Sequence, residues 1–260
     1  MSNNYWADRI AEAQAALSEK NIKQIEKQLT KYYRQAAAKV IEDFEATYDK
    51  LLTTVAEGRK PTPADLYKLD KYWQMQGQLR KELRGLGEKQ IAALTKQFEI
   101  QFFDVYYSIA IEGGAAYSTI DKEAARQLIN GIWVADGKSW SERIWNNTEL
   151  LVDTLNEELI HCVATGKKTT DLKNLLQESF GVSYSRADAL VRTEIAHIQT
   201  QAAKQRYEDY GIQEVEVWAD KDERRCEVCG KLHQKRYPVG AQLPIPAHPR
   251  CRCCVIPVVN

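Results

Sequence analysis

The sequence predicts a mainly α-helical protein with long antiparallel N-terminal helices, a helical middle and a small α+β tail at the C-terminus. Two observations predict this class. Apolar residues recur at steps of three and four over most of the first two hundred residues, which is the periodicity of amphipathic helices. After Gln213 the period changes to two, and Pro, Gly and Cys become frequent, as in short strands and loops. We therefore divide the chain into a long-helix region (1–130), a helical part (131–212) and a β/loop module (213–260).

The first long helix is predicted by an apolar face that extends from Ile22 to Val55. Polar and charged residues occupy the other positions, and neither Pro nor Gly occurs before Gly58. Such a helix is much longer than the average of about 11–12 residues and needs a partner along its length. A separate short helix from Tyr5 to Leu17 is predicted to pack beside it.

A break is predicted between Gly58 and Pro63. Thr62 is suited to cap a helix, and Pro63 is suited to the first helical position. Asp65 is suited to the first turn, where the helix dipole is positive. These residues predict the start of a second long helix, which would lie antiparallel to the first.

The second helix is predicted from Leu66 to Phe102, and Gly113-Gly114 is predicted to end it. Gly77, Gly85 and Gly87 lie inside this pattern. Because glycine is a poor helix former, the three positions predict a bend or a short break.

Three more helices are predicted in the middle of the chain: Trp140–Leu159, Thr170–Phe180 and a helix capped by Ser185 that extends to Tyr210. Glycines 166, 181 and 211 are predicted to end them. The cluster Trp133, Trp140 and Trp145 is predicted to be core rather than a binding cage. We interpret His161 and Cys162 as a core or boundary pair, and His197 as a residue on a helix surface.

Short strands are predicted in the C-terminal module. Glu214–Trp218 alternates with period two, which indicates a strand. Lys235–Val239 and Cys253–Val259 are candidates for two others.

Composition and charge argue against several classes of protein. Basic and acidic residues number 36 each, so any contact with DNA must come from a local patch. The most apolar stretches, such as Phe102–Ile111, are too short to span a membrane. Met1–Arg9 has no apolar core of a secretion signal. We expect the protein to stay in a reducing cytoplasm, where clustered cysteines favour metal over disulfides.

Two Cys/His pairs predict a metal site. Cys226 and Cys229 form a C-x-x-C pair, and His248 and Cys251 form an H-x-x-C pair about twenty residues later. Such spacing is typical of a tetrahedral zinc site. The preferred ligands are these four residues, and Cys253 is the alternative ligand for the fourth coordination position. Buried or reactive free cysteines are one alternative, and disulfides are another.

The predicted zinc is structural. The tail has few large apolar residues, and a metal bound by four protein ligands stabilises such a segment directly while leaving no position open for a substrate. Zinc deaminases require a different motif order, and the chain lacks the usual hydrolase and P-loop motifs. His233 is a spare candidate ligand.

A local basic patch accompanies these pairs. Residues 220–254 contain eight Lys or Arg and four acidic residues. A solvated surface is one interpretation, and contact with DNA phosphates or an acidic partner is the other. The candidate phosphate contacts are Arg224, Arg225, Arg250 and Arg252.

Residues around the two pairs occur in a specific order and spacing. They are Arg192-Thr193-Glu194, Trp218, Asp222, Cys226, Cys229, Pro246, His248-Pro249, Cys251-Arg252-Cys253 and Pro257. This C-terminal part, from about Gly131 to Asn260, resembles the Mu F-like phage head-morphogenesis proteins, also called minor capsid or minor head proteins. The segment from Trp133 to Trp145 is similar to members from phages and prophages of Gram-positive bacteria.

The resemblance implies a structural protein, not an enzyme, that acts in head assembly. It implies a few copies inside the phage head near the portal, and a stay in the host cytoplasm during assembly. The implied partners are the portal protein, the major capsid or scaffold protein, and DNA through the basic patch.

For Arg192 and Glu194 we predict a structural role in which one or both bond to the C-terminal module. Two other functions stay open. One is a DNA-binding zinc module on a helical oligomerisation stalk. The other is a small zinc-containing hydrolase or nuclease in which Glu194 is catalytic.

Overall fold

The computed structural model describes residues 3–55, 59–109, 119–219, 223 and 225–259. It is mainly helical and has a small antiparallel sheet near the C-terminus, which confirms the predicted class. The helices are α1 (Asn3–Thr54), α2 (Pro63–Tyr67), α3 (Asp70–Ser108), α4 (Lys122–Asn130), α5 (Trp140–Thr165), α6 (Thr169–Asp209) and α7 (Glu227–Leu232). The strands are β1 (Glu214–Trp218), β2 (Arg236–Pro238) and β3 (Cys254–Pro257). Within the described ranges, no helix combines the length and apolarity needed to cross a bilayer.

The chain forms two compact units. Unit 1 comprises Met1–Glu26, Leu94–Trp140 and Ala189–Asn260, and unit 2 comprises Lys27–Ala93 and Ser141–Asp188. The core of unit 2 is an apolar cluster that includes Phe44, Leu83 and Leu155, all fully buried. The division into domains at 130/131 and 212/213 stays a prediction.

Helix α1 is continuous from Asn3 to Thr54, so the predicted separate helix from Tyr5 to Leu17 is wrong. The reason is visible at Asn21, a residue that often interrupts helices by bonding to its own backbone. Here Asn21 is fully buried and bonds to other side chains instead, donating to Gln101 (2.7 Å) and accepting from Gln97 (2.8 Å). Tertiary contacts therefore hold this turn helical.

The same contacts show that α1 and α3 pack side by side in unit 1. Asn21 bonds to Gln97 and Gln101, and Ser18 bonds to Gln101. The antiparallel direction of this pair stays a prediction.

Thr62 caps α2 as predicted. Its hydroxyl accepts from the Asp65 backbone, and the Asp65 carboxylate accepts from the Thr62 backbone, forming a capping box with Pro63 at the first helical position. The Arg59 side chain donates to the same carboxylate and, with Thr62, holds the pKa of Asp65 well below its ordinary value. The predicted single second helix is divided, because α2 ends at Tyr67 and α3 begins at Asp70. Gly58 lies outside the described residues.

The predicted break at the glycines of α3 is wrong, because α3 is unbroken from Asp70 to Ser108. Gly77 and Gly85 face open space. Gly87 lies against Trp145, where an added Cβ would stand 2.6 Å from Cζ3 of the indole. A small residue is thus needed at position 87 for close packing rather than for a bend. Gly113-Gly114 lies outside the described residues.

Replacing Gly85 and Gly87 separately with Ala is expected to have opposite effects. Gly85→Ala should raise the free energy of unfolding by up to about 1 kcal/mol, because alanine favours the helix and its methyl meets no neighbour. Gly87→Ala should lower it by about 1–2 kcal/mol, since the Trp145 ring must move. Urea unfolding followed by circular dichroism measures both. Equal stabilisation by the two variants would contradict the packing role of Gly87.

Helix α6 is also longer than predicted. It is continuous from Thr169 to Asp209, so the stop at Gly181 and the new start at Ser185 are wrong. Ser183 lies between them and is buried, and its carbonyl and hydroxyl each lie 3.0 Å from Nδ2 of Asn147. Packing in unit 2 therefore overrides the local signals. The predicted stop at Gly211 is confirmed by its left-handed backbone (φ 76°).

The C-terminal sheet has the order β2-β1-β3, and both pairings are antiparallel. Val217 lies opposite Val255, and Val215 lies opposite Tyr237 on the other side, so all three predicted strands are confirmed. The outer edge of β3 is held by the helices of unit 1, because Gln14 Nε2 and Tyr207 Oη both donate to the Val255 carbonyl at 3.3 Å. These bonds place the sheet, and the loops that extend from it, against α1 and α6.

Candidate metal centre

The first Cys pair is positioned by the start of α7. Cys226 is the N-cap of this short helix, and its Sγ accepts from the backbone N–H of Cys229 at 3.3 Å. The capping geometry places both sulfurs on the same side of one helical turn. A hydrogen bond from a backbone N–H also stabilises the negative sulfur that a metal requires.

The second pair is positioned by a tight turn after the sheet loops. The backbone N–H of Cys251 donates to the His248 carbonyl at 3.2 Å, and Arg250 adopts the left-handed conformation (φ 60°) inside the turn. The Nδ1 atom of His248 lies 2.8 Å from the Pro249 carbonyl. Because a carbonyl only accepts, Nδ1 carries the hydrogen, and the lone pair of Nε2 is free to bind a metal.

The two pairs converge. Nε2 of His248 lies 3.3 Å from Sγ of Cys226 and 3.2 Å from Sγ of Cys229, and Sγ of Cys229 lies 3.8 Å from Sγ of Cys251. A tetrahedral zinc site places two sulfurs about 3.8 Å apart, and a sulfur and a nitrogen about 3.5 Å apart. The donor chemistry and spacing therefore fit such an ion. A disulfide would require a sulfur–sulfur distance of about 2.05 Å.

Five donors form two overlapping groups. Cys226, Cys229 and His248 form one, and Cys229, Cys251 and Cys253 form the other; in each group the donor atoms lie within 4.8 Å of one another. Cys229 belongs to both. The four predicted ligands are divided between the two groups, and the choice between Cys251 and Cys253 stays open.

The loops around these donors have almost no other core. Within residues 225–253, all of which the structure describes, the buried side chains are Cys229, Ile245, Cys251 and Cys253. Three of these four side chains are thiols, which bury little apolar surface. A cation bound between them would supply the stabilisation that hydrophobic packing provides elsewhere.

The neighbouring thiols strongly shift one another's pKa values. Hydrogen bonds from the Cys253 side chain and from the backbone lower the pKa of Cys251 to about 5, although burial opposes this. Burial raises the pKa of Cys229 to about 12, and the neighbouring Cys251 raises that of Cys253. The hydrogen bond to the Pro249 carbonyl raises the pKa of His248.

Three of the predicted phosphate contacts surround the cluster. Arg225, Arg250 and Arg252 are exposed and line a small cavity of about 30 Å³ together with Cys226, Cys229, His248 and Cys253. Arg224 and Asp222 lie outside the described residues. The exposed guanidinium groups give this face of the module a positive charge.

A comparison with protein families finds one match to this chain. Residues 153–256 match the family model described as Phage Mu protein F like protein. The chain has a Mu F-like region. The match covers about two fifths of the chain and includes the whole Cys/His cluster. No curated protein and no solved structure matches the chain. The predicted resemblance is thus confirmed for residues 153–256, and the segment 131–152 lies before the match.

Within the Mu F-like region, Arg192, Thr193 and Glu194 contact three different parts of unit 1. Arg192 forms ion pairs with Glu26 and Glu19 on α1. Glu194 accepts from Trp133 Nε1 at 3.1 Å. Thr193, which the sequence did not single out for contact with the module, accepts from the backbone N–H of Arg250 at 3.0 Å. A bond from Arg192 or Glu194 to the module stays a prediction.

The interpretation of His197 as a surface residue is wrong. Its side chain is 5 % exposed, and its ring stacks on Trp133 with a centroid distance of 4.3 Å and an interplanar angle of 7°. Burial, assisted by the charge of Lys204, lowers the pKa of His197 to about 3. Periodicity alone could not reveal this, since the covering ring comes from a segment outside α6.

The other candidates occupy structural positions. Trp140 is buried and packs edge-on against Phe98, as predicted for a core residue, whereas Trp145 is partly buried. Trp218 is buried, and its Nε1 donates to Asp8 at 3.1 Å. His233 lies against Trp218, and its Nδ1 accepts from the Ala219 backbone, so this ring is oriented by the sheet.

Two further residues complete the sequence candidates. His161 is exposed, while Cys162 is fully buried in the core of unit 2, and this agrees with their interpretation as a boundary pair.

Proposed function

We propose that this protein is a minor head protein of a tailed bacteriophage, a structural component that acts in head assembly and associates with the portal. The observation that carries the proposal is the coincidence of the Mu F-like match with a Cys/His cluster of metal-binding geometry. The resemblance supports a place inside the head, near the portal. The long helices offer extended surfaces for binding portal, capsid or scaffold subunits.

The metal is proposed to be one structural Zn²⁺ bound by Cys226, Cys229, His248 and Cys251. Cys251 is preferred over Cys253 because its Sγ lies 3.8 Å from Sγ of Cys229, which is the separation of two sulfurs on a tetrahedral zinc ion. Cys253 is the alternative fourth ligand. Four protein ligands close the coordination sphere, so the ion would hold the loops together rather than bind substrate.

A non-enzymatic role is proposed on the same grounds. Glu194, the candidate for catalysis, is 2 % exposed and accepts a hydrogen bond from Trp133. Both features suit a structural carboxylate better than one that meets substrate.

Contact with packaged DNA is a second candidate function. It is favoured by the exposed Arg225, Arg250 and Arg252 beside the metal cluster. Guanidinium groups bind phosphates with two parallel hydrogen bonds, and several on one face would add affinity that falls with salt.

One preparation tests these proposals together. The full-length protein is expressed with and without the portal protein of the same phage genome, and zinc is measured by elemental analysis. We expect one zinc per chain and co-elution with the portal ring in size-exclusion chromatography. A zinc-free folded protein would refute the metal centre, and failure to co-elute would refute portal association. Salt-sensitive DNA binding without portal binding would favour a DNA-binding module, and turnover lost in Glu194→Ala would favour a hydrolase.

A further inference from the structure

We infer that Thr193 is a positioning residue for the metal centre, and that its hydroxyl fixes the turn that presents His248 and Cys251. The inference rests on the proposed zinc site and adds a residue that lies outside its ligand set. It starts from the position of Thr193 on α6, directly opposite the backbone of Arg250.

The Thr193 hydroxyl has both a donor and an acceptor role. Its Oγ1 donates to the Ala189 carbonyl at 2.6 Å and accepts from the Arg250 backbone N–H at 3.0 Å. The first bond fixes the rotamer, since threonine in a helix commonly bonds back to the carbonyl four residues earlier. The hydroxyl oxygen is thereby held in place to receive the second bond.

The second bond acts on a backbone that is unfavourable by itself. Arg250 has a φ of 60°, in the left-handed region that residues with a Cβ rarely occupy. Such a conformation persists where surrounding contacts impose it. The hydrogen bond from the Arg250 N–H to Thr193 is one such contact.

The turn at Arg250 determines where two ligands lie. His248 precedes it by two residues and Cys251 follows it directly, and the turn is closed by the bond from Cys251 N–H to the His248 carbonyl. If the peptide at Arg250 rotated, Nε2 of His248 and Sγ of Cys251 would leave their present separations from Cys229. A residue on a long helix thus controls the geometry of a metal site formed by loops.

The neighbours of Thr193 connect this turn of the helix to two other segments. Arg192 is paired with Glu26 on α1, and Glu194 receives the Trp133 indole N–H. Three consecutive side chains therefore tie this turn of α6 to α1, to the segment before α5 and to the metal-binding turn. Because the contacts of Arg192 and Glu194 hold this turn of α6, the Thr193 hydroxyl keeps its position opposite Arg250.

The test uses the zinc-loaded full-length protein and compares Thr193→Val with Thr193→Ser. The control is Thr200→Val, because Thr200 lies on the same helix, is buried, and makes the same back-bond to Ala196 (2.9 Å). Zinc release to an excess of a chromogenic chelator is followed over time. Thr193→Val should release zinc about three- to tenfold faster, the factor expected for one hydrogen bond. Thr193→Ser and Thr200→Val should match the parent chain.

Equal release by Thr193→Val and Thr200→Val would overturn the inference while leaving the zinc site intact. A parent chain without zinc would overturn both the site and the inference, so the two failures are distinguishable. A second measurement needs no variant: hydrogen exchange at the Arg250 amide of the parent protein. This exchange should be slow although Arg250 is exposed. Exchange at the rate of an unprotected peptide would refute the positioning role of Thr193.

Discussion

Cys229→Ser is expected to abolish zinc retention and to unfold the loops between Cys226 and Cys253. Cys229 belongs to both groups of donor atoms, so its loss removes a ligand from the proposed set with Cys251 and from the alternative set with Cys253. Structural zinc contributes about 10–16 kcal/mol to the folding of zinc-finger peptides, far more than the few buried side chains of these loops. The sheet itself should survive, because Val215, Val217 and Val255 are buried independently of the metal.

Zinc content after dialysis and limited proteolysis measure this effect. We expect no bound zinc and rapid cleavage within residues 225–253, and we expect the variant to be excluded from assembled heads. Cys254→Ala is the matched control, since Cys254 is buried in the same module but directs its Sγ to the Trp218 carbonyl. It should keep its zinc. Stoichiometric zinc in Cys229→Ser would show that the ligands have been assigned wrongly.

Cys251→Ser and Cys253→Ser separate the two candidates for the fourth ligand. Under the proposed set, Cys251→Ser loses zinc and Cys253→Ser retains it. The reverse result would transfer the fourth position to Cys253 and leave the rest of the proposal unchanged.

Acidification is expected to destabilise unit 1 through His197. Its pKa is about 3 in the folded protein, against 6.5 for an exposed histidine, because burial and Lys204 disfavour the charged ring. Between about pH 3 and pH 6.5, His197 therefore binds a proton in the unfolded chain but not in the folded chain. Stability from this residue is complete above about pH 6.5 and falls by about 1.4 kcal/mol for each pH unit below it. Near pH 3 the loss would reach roughly 4 kcal/mol.

The variant His197→Phe isolates this contribution. The phenylalanine ring can stack on Trp133 as the histidine ring does. Loss of Nδ1 breaks no hydrogen bond, because Nδ1 of His197 has no hydrogen-bond partner among the described residues. The free energy of unfolding is measured for both proteins between pH 7.5 and pH 4. Loss of zinc in acid affects both alike, so the difference between the curves reports His197. Parallel curves would contradict a buried neutral histidine.

Local signals in the sequence were sufficient for several features. The capping box at Thr62 involves residues three positions apart, and β1 follows from alternation within five residues. The spacings of Cys226 to Cys229 and of His248 to Cys251 likewise predicted two binding turns. Each of these depends on backbone geometry over one turn of the chain, which the order of residues specifies directly.

Tertiary structure decided the rest. Gly181 and Gly85 predict interruptions when considered alone, yet both lie inside continuous helices, because packing of whole helix faces outweighs the propensity of one residue. The burial of His197 depends on Trp133, and the role of Thr193 depends on Arg250, so each pair joins segments distant in sequence. The order of residues alone determined the cap at Thr62, strand β1 and the turn at Gly211. Which of them meet was determined by the burial of apolar faces, a property of the assembled fold.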